Sequence, residues 1–467
     1  MAKTEAAIDV PLTRLMARFA IAPHDFPALA RTRARDAIAD CVGCMLAGSR
    51  EDLAPPLRAT LPSFSEPQAD FASLMLGVAS GGKRFASAAD AALYNGTIAH
   101  ALDFDDTNHP AYAHPSAVIA AAMLAIAPRV ATTPSGTALV DAYIVGFEFF
   151  GALGRALNKQ HYKRGWHTTG TFGALAAAAS AGRLLGLNED QMTMALGIAA
   201  SSASGLRASF GSMTKPLHAG QAARNGVLAA LLAREGFTAS EEAIEHSAGY
   251  VSVFNDKIGF DVTPLTRMGV ELEILTEHGL ALKPYAACGA THPGIEAAEL
   301  LYDAIEGRPI RSVRAGVCEM AFSPLIHVMP ESPLEGKFSL HFCLAAALLY
   351  GPVTLATFSD EKVADPRIRS LIPRIAMELE PRLKDDSEFA TEVSVELEDG
   401  TRLVRFVPLA QGKPDRWFTA DRLHAKFTDC ASVALAEASR DKVWRALASL
   451  DSADGCVKLL DSLNSAA

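Results

Sequence analysis

The chain reads as a mainly α protein. A large all-helical domain is formed by the N- and C-terminal parts of the sequence, and a smaller α+β domain lies between them. Three observations predict this. Apolar and small residues recur at helical spacing almost unbroken from about residue 88 to residue 260. Strand-like alternation is concentrated between residues 310 and 410, and helical periodicity returns from Thr419 to the end. The boundaries that follow are 1–268 with 412–467 for the helical domain and 269–411 for the α+β domain.

Residues 10–22 and 25–48 predict the first two helices. In the second, Ala30, Ala34, Ile38, Cys41 and Met45 recur at three- and four-residue steps, and Gly48 closes it. Residues 50–87 are mixed and rich in Pro, Ser and Gly. A helix over 88–102 then runs into an acidic segment. Further helices are expected at 115–129, 136–158, 169–187, 189–204, 216–235 and 240–248, many with small residues (GTFGALAAAASAGRLLGL) that allow close packing. In the α+β part, a helix over 293–305 precedes the β-rich RSVRAGVCEM, the helical LEGKFSLHFCLAAALLYGPV, and RIAMELEP. TEVSVELEDGTRLVRFV predicts a hairpin: Val393, Val395 and Leu397 alternate, Asp399-Gly400 supplies the turn, and Leu403, Arg405 and Val407 continue. The segments DRLHAKFTDCASVAL and SRDKVWRALASLD are helical and are expected to pack back on the first domain.

Apolar residues make up 49% and charged residues 21% of the 467, the balance of a globular enzyme with a large core. The formal net charge of -10 argues against nucleic acid or an anionic membrane surface as partner. An anionic substrate would need a local cluster of Lys, His and helix N-termini. Apolar runs such as Ala117 to Ala127 fall short of the ~20 residues that span a bilayer. The stretch MAKTEAAIDVPLTR lacks the apolar core and cleavage site of a secretory signal. Seven scattered cysteines predict reduced thiols and a cytoplasmic protein. Cys41 and Cys44 form a CxxC inside an apolar helical pattern with no second pair, which predicts core packing.

The chemistry concentrates in Asn95 to Ser116, NGTIAHALDFDDTNHPAYAHPS, which holds His100, Asp103, Asp105, Asp106, Thr107, His109 and His114. Elsewhere His167 precedes Thr168-Thr169-Gly170, and His114, Lys215 and Lys283 each precede a proline. Proline suits the first helical position, so His114 and Lys215 fall near an N-cap. A helix N-terminus carries roughly +0.5 charge, so a cation there is locally unfavourable. It becomes favourable when an anion sits in front, where backbone N–H groups, dipole and Lys act together on a carboxylate or phosphate. The aspartates follow the C-terminal end of their helix, which is the unfavoured end for anions. Singly, each feature has a bland reading: a solvated helix start, a satisfied structural histidine, a loop cap. Together they point to one shared site. The histidines and aspartates could ligate a metal, but their spacing fits no standard motif such as H-E-x-x-H, and none is expected. D-x-D-D is also the proton-donating motif of class II terpene cyclases, whose carbocations need aromatic walls. Here aromatics total 7%, with three Trp.

Five segments together resemble the MmgE/PrpD family: the 95–116 stretch, GWHTTGTFGALAAAASAGRLLGL, GSMTKPLHAGQAARNGVLAALLAREGF, LKPYAACGATHPGIEAA and LEGKFSLHFCLAAALLYGPV. The likeness is in order and runs from about residue 10 to residue 460. It implies a large helical domain with a smaller α+β lid, a homodimer, and no metal or organic cofactor. Family activities include 2-methylcitrate dehydratase, cis-aconitate decarboxylase and iminodisuccinate epimerase, all moving a proton beside a carboxylate. A decarboxylase-type site would map to Asp103, Thr107, His114, His167, Lys215 and Lys283. Two departures stand out. Dehydratases of the family usually continue HPS with Asp-Asn, where this chain has Ala117-Val118. Decarboxylase-like members can carry a His a few residues after the second Lys, where this chain has Ala287-Cys288.

The resulting expectation is a cofactor-independent lyase for a small di- or tricarboxylate, with an epimerase of an iminodisuccinate-like acid or a non-catalytic polyacid binder as alternatives. Lys215 and Lys283 would hold carboxylates, with Thr107, His109 and the N–H groups near Thr168 and Thr169 lining the site. His114 or His167 would act as general acid/base. Asp103 would orient an imidazole or serve as the base.

Overall fold

The computed structural model describes residues 10–61, 63–64, 84–85, 87–130, 132–256, 259–384 and 388–466. Most of the 50–87 stretch and the first nine residues lie outside that set. Helix dominates, so the mainly α class holds. The chain divides into two compact units, Met1–Leu282 with Thr419–Ala467, and Lys283–Phe418.

Both boundaries fall later than the 269 and 411 read from composition. Strand β4 (Leu280–Ala281) pairs antiparallel with β3 (Thr107–Asn108), which keeps residues up to 282 with the helices. Near the second boundary, Glu296 accepts from the Gln411 N–H at 3.1 Å and from Arg416 at 2.6 Å, which ties that loop to the second unit. The first unit is also not purely helical. Besides β3–β4 it contains the short antiparallel pair β1 (Ser63–Phe64) and β2 (Arg84–Phe85).

The longer helices of the first unit are α1 (Leu12–Ile21), α2 (Ala28–Gly48), α3 (Ala88–Ala99), α4 (Pro115–Ile126), α5 (Gly136–Leu157), α6 (Thr168–Leu184), α7 (Glu189–Ser202) and α8 (Thr214–Arg234). Their starts follow local chemistry. Ser87 caps α3 by accepting the Asp90 N–H at 3.1 Å, Ser135 caps α5, and Asn188 with Gln191 forms a capping box on α7. Every residue of α4 is buried. Helix α5 is long and apolar enough to cross a bilayer, but 83% of its apolar window is buried, as for a core helix. The expected helix at 240–248 is instead a series of turns. There the Ile244 N–H donates to Thr13 Oγ1 and the Ala248 N–H to His246 Nδ1, which diverts donors from a helical ladder.

Small residues decide where these helices cross. A Cβ on Gly96 of α3 would lie 2.8 Å from the Gly220 Cα of α8, and one on Gly220 would lie 2.1 Å from the Leu93 carbonyl oxygen. Only glycines permit this approach. It brings the C-terminal end of α3 against the N-terminal end of α8.

The second unit holds helices α9 (His292–Ile305) and α10 (Leu340–Tyr350) and a four-stranded sheet of order β6-β5-β7-β8. Its strands are β5 (Ile310–Val317), β6 (Ile375–Leu379), β7 (Thr391–Leu397) and β8 (Arg402–Val407). Strand β5 runs parallel to β6 and antiparallel to β7. The expected hairpin is β7–β8, with Val393, Val395 and Leu397 fully buried and Gly400 at φ 84° in the turn. The chain then returns to the first unit as α11 (Ala420–Ser432), α12 (Glu437–Ala448) and α13 (Gly455–Ala466).

Helix α11 packs on α2 and brings in a fully buried cation. Lys426 Nζ lies 2.6 Å from Asp40 and 2.8 Å from the Phe104 carbonyl oxygen, and sits 3.9 Å over the Phe104 ring. Cys44 and Cys430 are buried at the same helix pair, so the CxxC is core packing. Burial pushes Asp40 up to about 6 against the attraction of Lys426. Removing only the cation strands a buried carboxylate. Lys426→Met should lower unfolding free energy by ~3–5 kcal/mol, read from urea denaturation. Adding Asp40→Asn should recover part of that loss, because the two sites are coupled. A single variant as stable as wild type would show that the pair carries no such weight.

Candidate active site

Three helix N-termini and one helix C-terminus converge in the first unit. Helix α3 ends at His100, and the chain passes through Asp103, Asp105 and Asp106 into β3. His114 is the N-cap of α4 with Pro115 at the first helical position, and His167 is the N-cap of α6. Lys215 lies in the first turn of α8, after Thr214. The glycine crossing sets Lys215 Nζ 2.7 Å from Asp103 Oδ1. Threonine hydroxyls tie the starts of α4 and α6 together: the His114 N–H donates to Thr169 Oγ1 at 3.1 Å, and Thr168 Oγ1 donates to the Tyr112 carbonyl at 2.7 Å.

The imidazoles form a cluster. His100 and His114 have ring centroids 4.3 Å apart, and His100 and His167 6.1 Å. His100 Nδ1 lies 3.0 Å from each oxygen of Asp105, and His114 Nδ1 lies 3.4 Å from Asp105 Oδ2. On its other side His114 Nε2 is 3.6 Å from Asp103 Oδ1. His167 Nδ1 is 3.0 Å from Nδ1 of His218 on α8, and its ring meets the edge of Phe210. Asp106 accepts from both the Ser116 N–H and the Ser116 hydroxyl at 2.9 Å, and that hydroxyl lies 2.5 Å from the Tyr143 OH. Asp106 therefore follows one helix C-terminus in sequence but sits on the N-terminus of α4 in space, where an anion is favoured.

Burial and neighbours set the charges. Desolvation works against a charge on Asp105, but His100 and His114 outweigh it and hold the carboxyl well below the usual range. Asp106, buried and next to Asp105, is pushed up to about 8. Burial lowers His100 to about 4 and His167 well below its ordinary value, so both rings are neutral at pH 7. Burial opposes the Lys215 charge, but Asp103 outweighs it and raises the ammonium. Asp103 and Tyr112 adopt left-handed backbone, φ 53° and 49°. Such conformations persist only where the surroundings enforce them, and they collect at functional sites.

Of the residues singled out from sequence, Asp103, His114, His167 and Lys215 come together here. Thr168 and Thr169 border the cluster, with hydroxyls spent on holding helix starts. Thr107 lies in β3 opposite Ala281. The His109 ring packs on Tyr112 and His278. Lys283 is the first residue of the second unit and is buried there. Cys288 is half-buried in that unit, its N–H donating to the Lys337 carbonyl at 2.9 Å. Three further members have no assigned role in the sequence reading: Asp105, His100 and His218. The last lies three residues after Lys215, one helical step along the same face.

This is a mainly helical protein with an acid/base cluster at joined helix ends. The chain belongs to the MmgE/PrpD family: the family's N-terminal domain matches residues 16–263 and its C-terminal domain residues 285–451. A cis-aconitate decarboxylase of Aspergillus terreus is 28% identical over 473 residues, covering 95% of this chain and 94% of that protein. The human cis-aconitate decarboxylase is 28% identical over 387 residues, 78% of this chain and 77% of that one. A cis-aconitate decarboxylase-like protein of Aspergillus oryzae is 28% identical over 464 residues, with 94% of each chain covered.

The raised Asp106 carboxyl makes a signed prediction. Its ordinary value is 3.8 and its folded value about 8, so folding takes up a proton between the two. Its contribution to stability is fully present below pH ~4 and is lost as pH rises toward 8. Asp106→Asn removes this dependence. Urea unfolding from pH 5 to pH 8 should show the stability difference moving steadily in favour of the variant. A difference flat with pH would contradict the assignment.

Proposed function

We propose that this protein is a lyase that cleaves a bond next to a carboxylate of a small di- or tricarboxylate, with cis-aconitate the first candidate substrate. We further propose that it works by general acid/base chemistry without a metal or organic cofactor. The observation that carries this reading is the convergence of three helix N-termini and Lys215 on a cluster of imidazoles. The helix ends and the ammonium suit carboxylate groups. Imidazole nitrogens can accept and return a proton. The curated relatives named above supply the choice of decarboxylation, and Ala117-Val118 in place of Asp-Asn points away from the dehydratases.

In the proposed reaction Lys215 and the N–H groups at the start of α6 hold carboxylates. The bond to the departing carboxylate breaks and its electron pair passes to the adjacent carbon. His114 or His167, having first taken up a proton from solvent, then delivers it to that carbon as CO₂ leaves. Asp103 holds Lys215 in place. Lys283 enters the proposal through the family resemblance alone.

One NMR experiment in D₂O tests the reading, with cis-aconitate, 2-methylcitrate and iminodisuccinate each offered to the full chain. Loss of CO₂ from cis-aconitate with deuterium at the protonated carbon is expected. Dehydration of methylcitrate, or exchange without bond cleavage, would move the assignment to dehydratase or epimerase. No change in any of the three would leave only a polyacid binder.

Two variants refine the roles. Lys215→Ala should remove turnover and weaken polyacid binding, with the fold intact by circular dichroism. His167→Gln should lower kcat by roughly 10²–10⁴-fold while KM changes little, as for loss of a proton-transfer group.

A further inference from the structure

His100 and His114 share one carboxylate. Asp105 is fully buried, and its two oxygens lie at hydrogen-bond distance, 3.0 Å, from His100 Nδ1. One of the same oxygens lies 3.4 Å from His114 Nδ1, a buried atom that among the described residues makes no hydrogen bond in this geometry. Both rings thus turn the same nitrogen toward the same anion, which leaves both Nε2 atoms facing away. The Nε2 of His114 lies on the side of Asp103 and Lys215, where the proposed function puts the substrate carboxylate. The Nε2 of His100 is buried and, among the described residues, has no hydrogen-bond partner.

We propose that Asp105 is the positioning residue of this site, a single carboxylate that fixes His100 and His114 as Nδ1–H tautomers so that His114 exchanges protons through Nε2. An ionised carboxylate only accepts hydrogen bonds, so the His100 Nδ1 at 3.0 Å carries the hydrogen. His114 faces a carboxylate on each side, Asp105 at 3.4 Å and Asp103 at 3.6 Å, but Asp103 is already engaged by the Lys215 ammonium, which leaves Asp105 the stronger acceptor. Two rings with centroids 4.3 Å apart cannot both carry a charge without mutual repulsion, and Asp105 offers one compensating charge. The bidentate hold on His100 keeps the carboxylate oriented, while the longer contact to His114 tightens when that ring takes up a proton. His100 stays neutral through the cycle, in keeping with its buried position. This division of labour rests on the proposed role of His114.

The same three side chains have one other possible use. His100, Asp105 and His114 each offer a ligand atom, and those atoms lie within 4.8 Å of one another, close enough to surround a divalent cation. Tautomer assignment separates the two uses, because a bound cation takes a nitrogen lone pair where the proposal requires a proton.

The test uses the full chain labelled with ¹⁵N-histidine. Long-range ¹H–¹⁵N spectra of wild type, with signals assigned through His100→Gln and His114→Gln, should show both rings as Nδ1–H tautomers. This measurement needs neither activity nor an Asp105 variant. In Asp105→Asn, whose amide can donate to Nδ1, the His114 signal should change tautomer. With cis-aconitate as probe, kcat should fall by roughly 10²-fold or more while KM stays within a few-fold, because Lys215 is untouched. Nε2–H tautomers in wild type would overturn the proposal. Wild-type kcat in Asp105→Asn would overturn it too, as would stoichiometric zinc bound by wild type and lost in that variant. If wild type turns over none of the polyacids, the proposed function fails while the tautomer spectrum still decides the role of Asp105.

Discussion

Among the carboxylates within or against the apolar helical core of the first unit, four aspartates stand in and beside the site, and the helices around them are arranged to keep them there. Asp40, Asp105 and Asp106 are buried, and Asp103 sits at the edge. Each is accommodated differently. Asp40 is paired with Lys426, Asp103 with Lys215, and Asp105 with two imidazoles, while Asp106 rests on the start of α4. A buried carboxylate without such a partner would take a proton instead of a charge. Asp106, which has hydrogen-bond donors but stands next to Asp105, goes partway in that direction. One short segment therefore holds acids of the same type with divergent protonation, which is how acid/base roles are divided in catalytic sites.

The alanine- and glycine-rich composition and the site are one feature. Gly96 against Gly220 allows α3 and α8 to touch backbone to backbone, and that contact brings Lys215 to Asp103. Gly173 packs on Val118 where α6 crosses α4, close to the threonines that join the starts of those helices. Larger side chains would separate the helix ends and disperse the charges. The fold thus sets electrostatics through backbone distance, and functional groups stand on helix termini rather than on long loops.

Much of this was legible in the sequence because the signals were local. The helical periodicity gave α2 and α5 within a few residues, and the Asp399-Gly400 turn gave the β7–β8 hairpin. Cations set against the helix dipole marked His114, His167 and Lys215 before any geometry was known. What stayed hidden depended on distant partners. Lys426 lies 322 residues from Phe104, and nothing in DRLHAKFTDCASVAL marks a buried cation. The 240–248 helix failed because Thr13, far along the chain, takes the Ile244 N–H. Asp105 and Asp103 look alike in DFDD, and only the fold shows that one faces imidazoles and the other an ammonium.

That difference bears on which ligand the site would favour. Lys215 is already engaged by Asp103 at 2.7 Å, so its charge is half-spent before any substrate arrives. A monocarboxylate meeting this ammonium also meets the Asp103 anion, in a chain whose net charge is already -10. The Coulomb gain and loss at comparable distances largely cancel. A second carboxylate on the same molecule changes the balance, because it can lie against the start of α6, the start of α4 being already taken by Asp106. On the proposed reading, preference for polyacids then follows from geometry: the first carboxylate is held at near-zero net gain, and the second supplies the affinity. The bond to be broken is left beside the imidazoles that Asp105 orients.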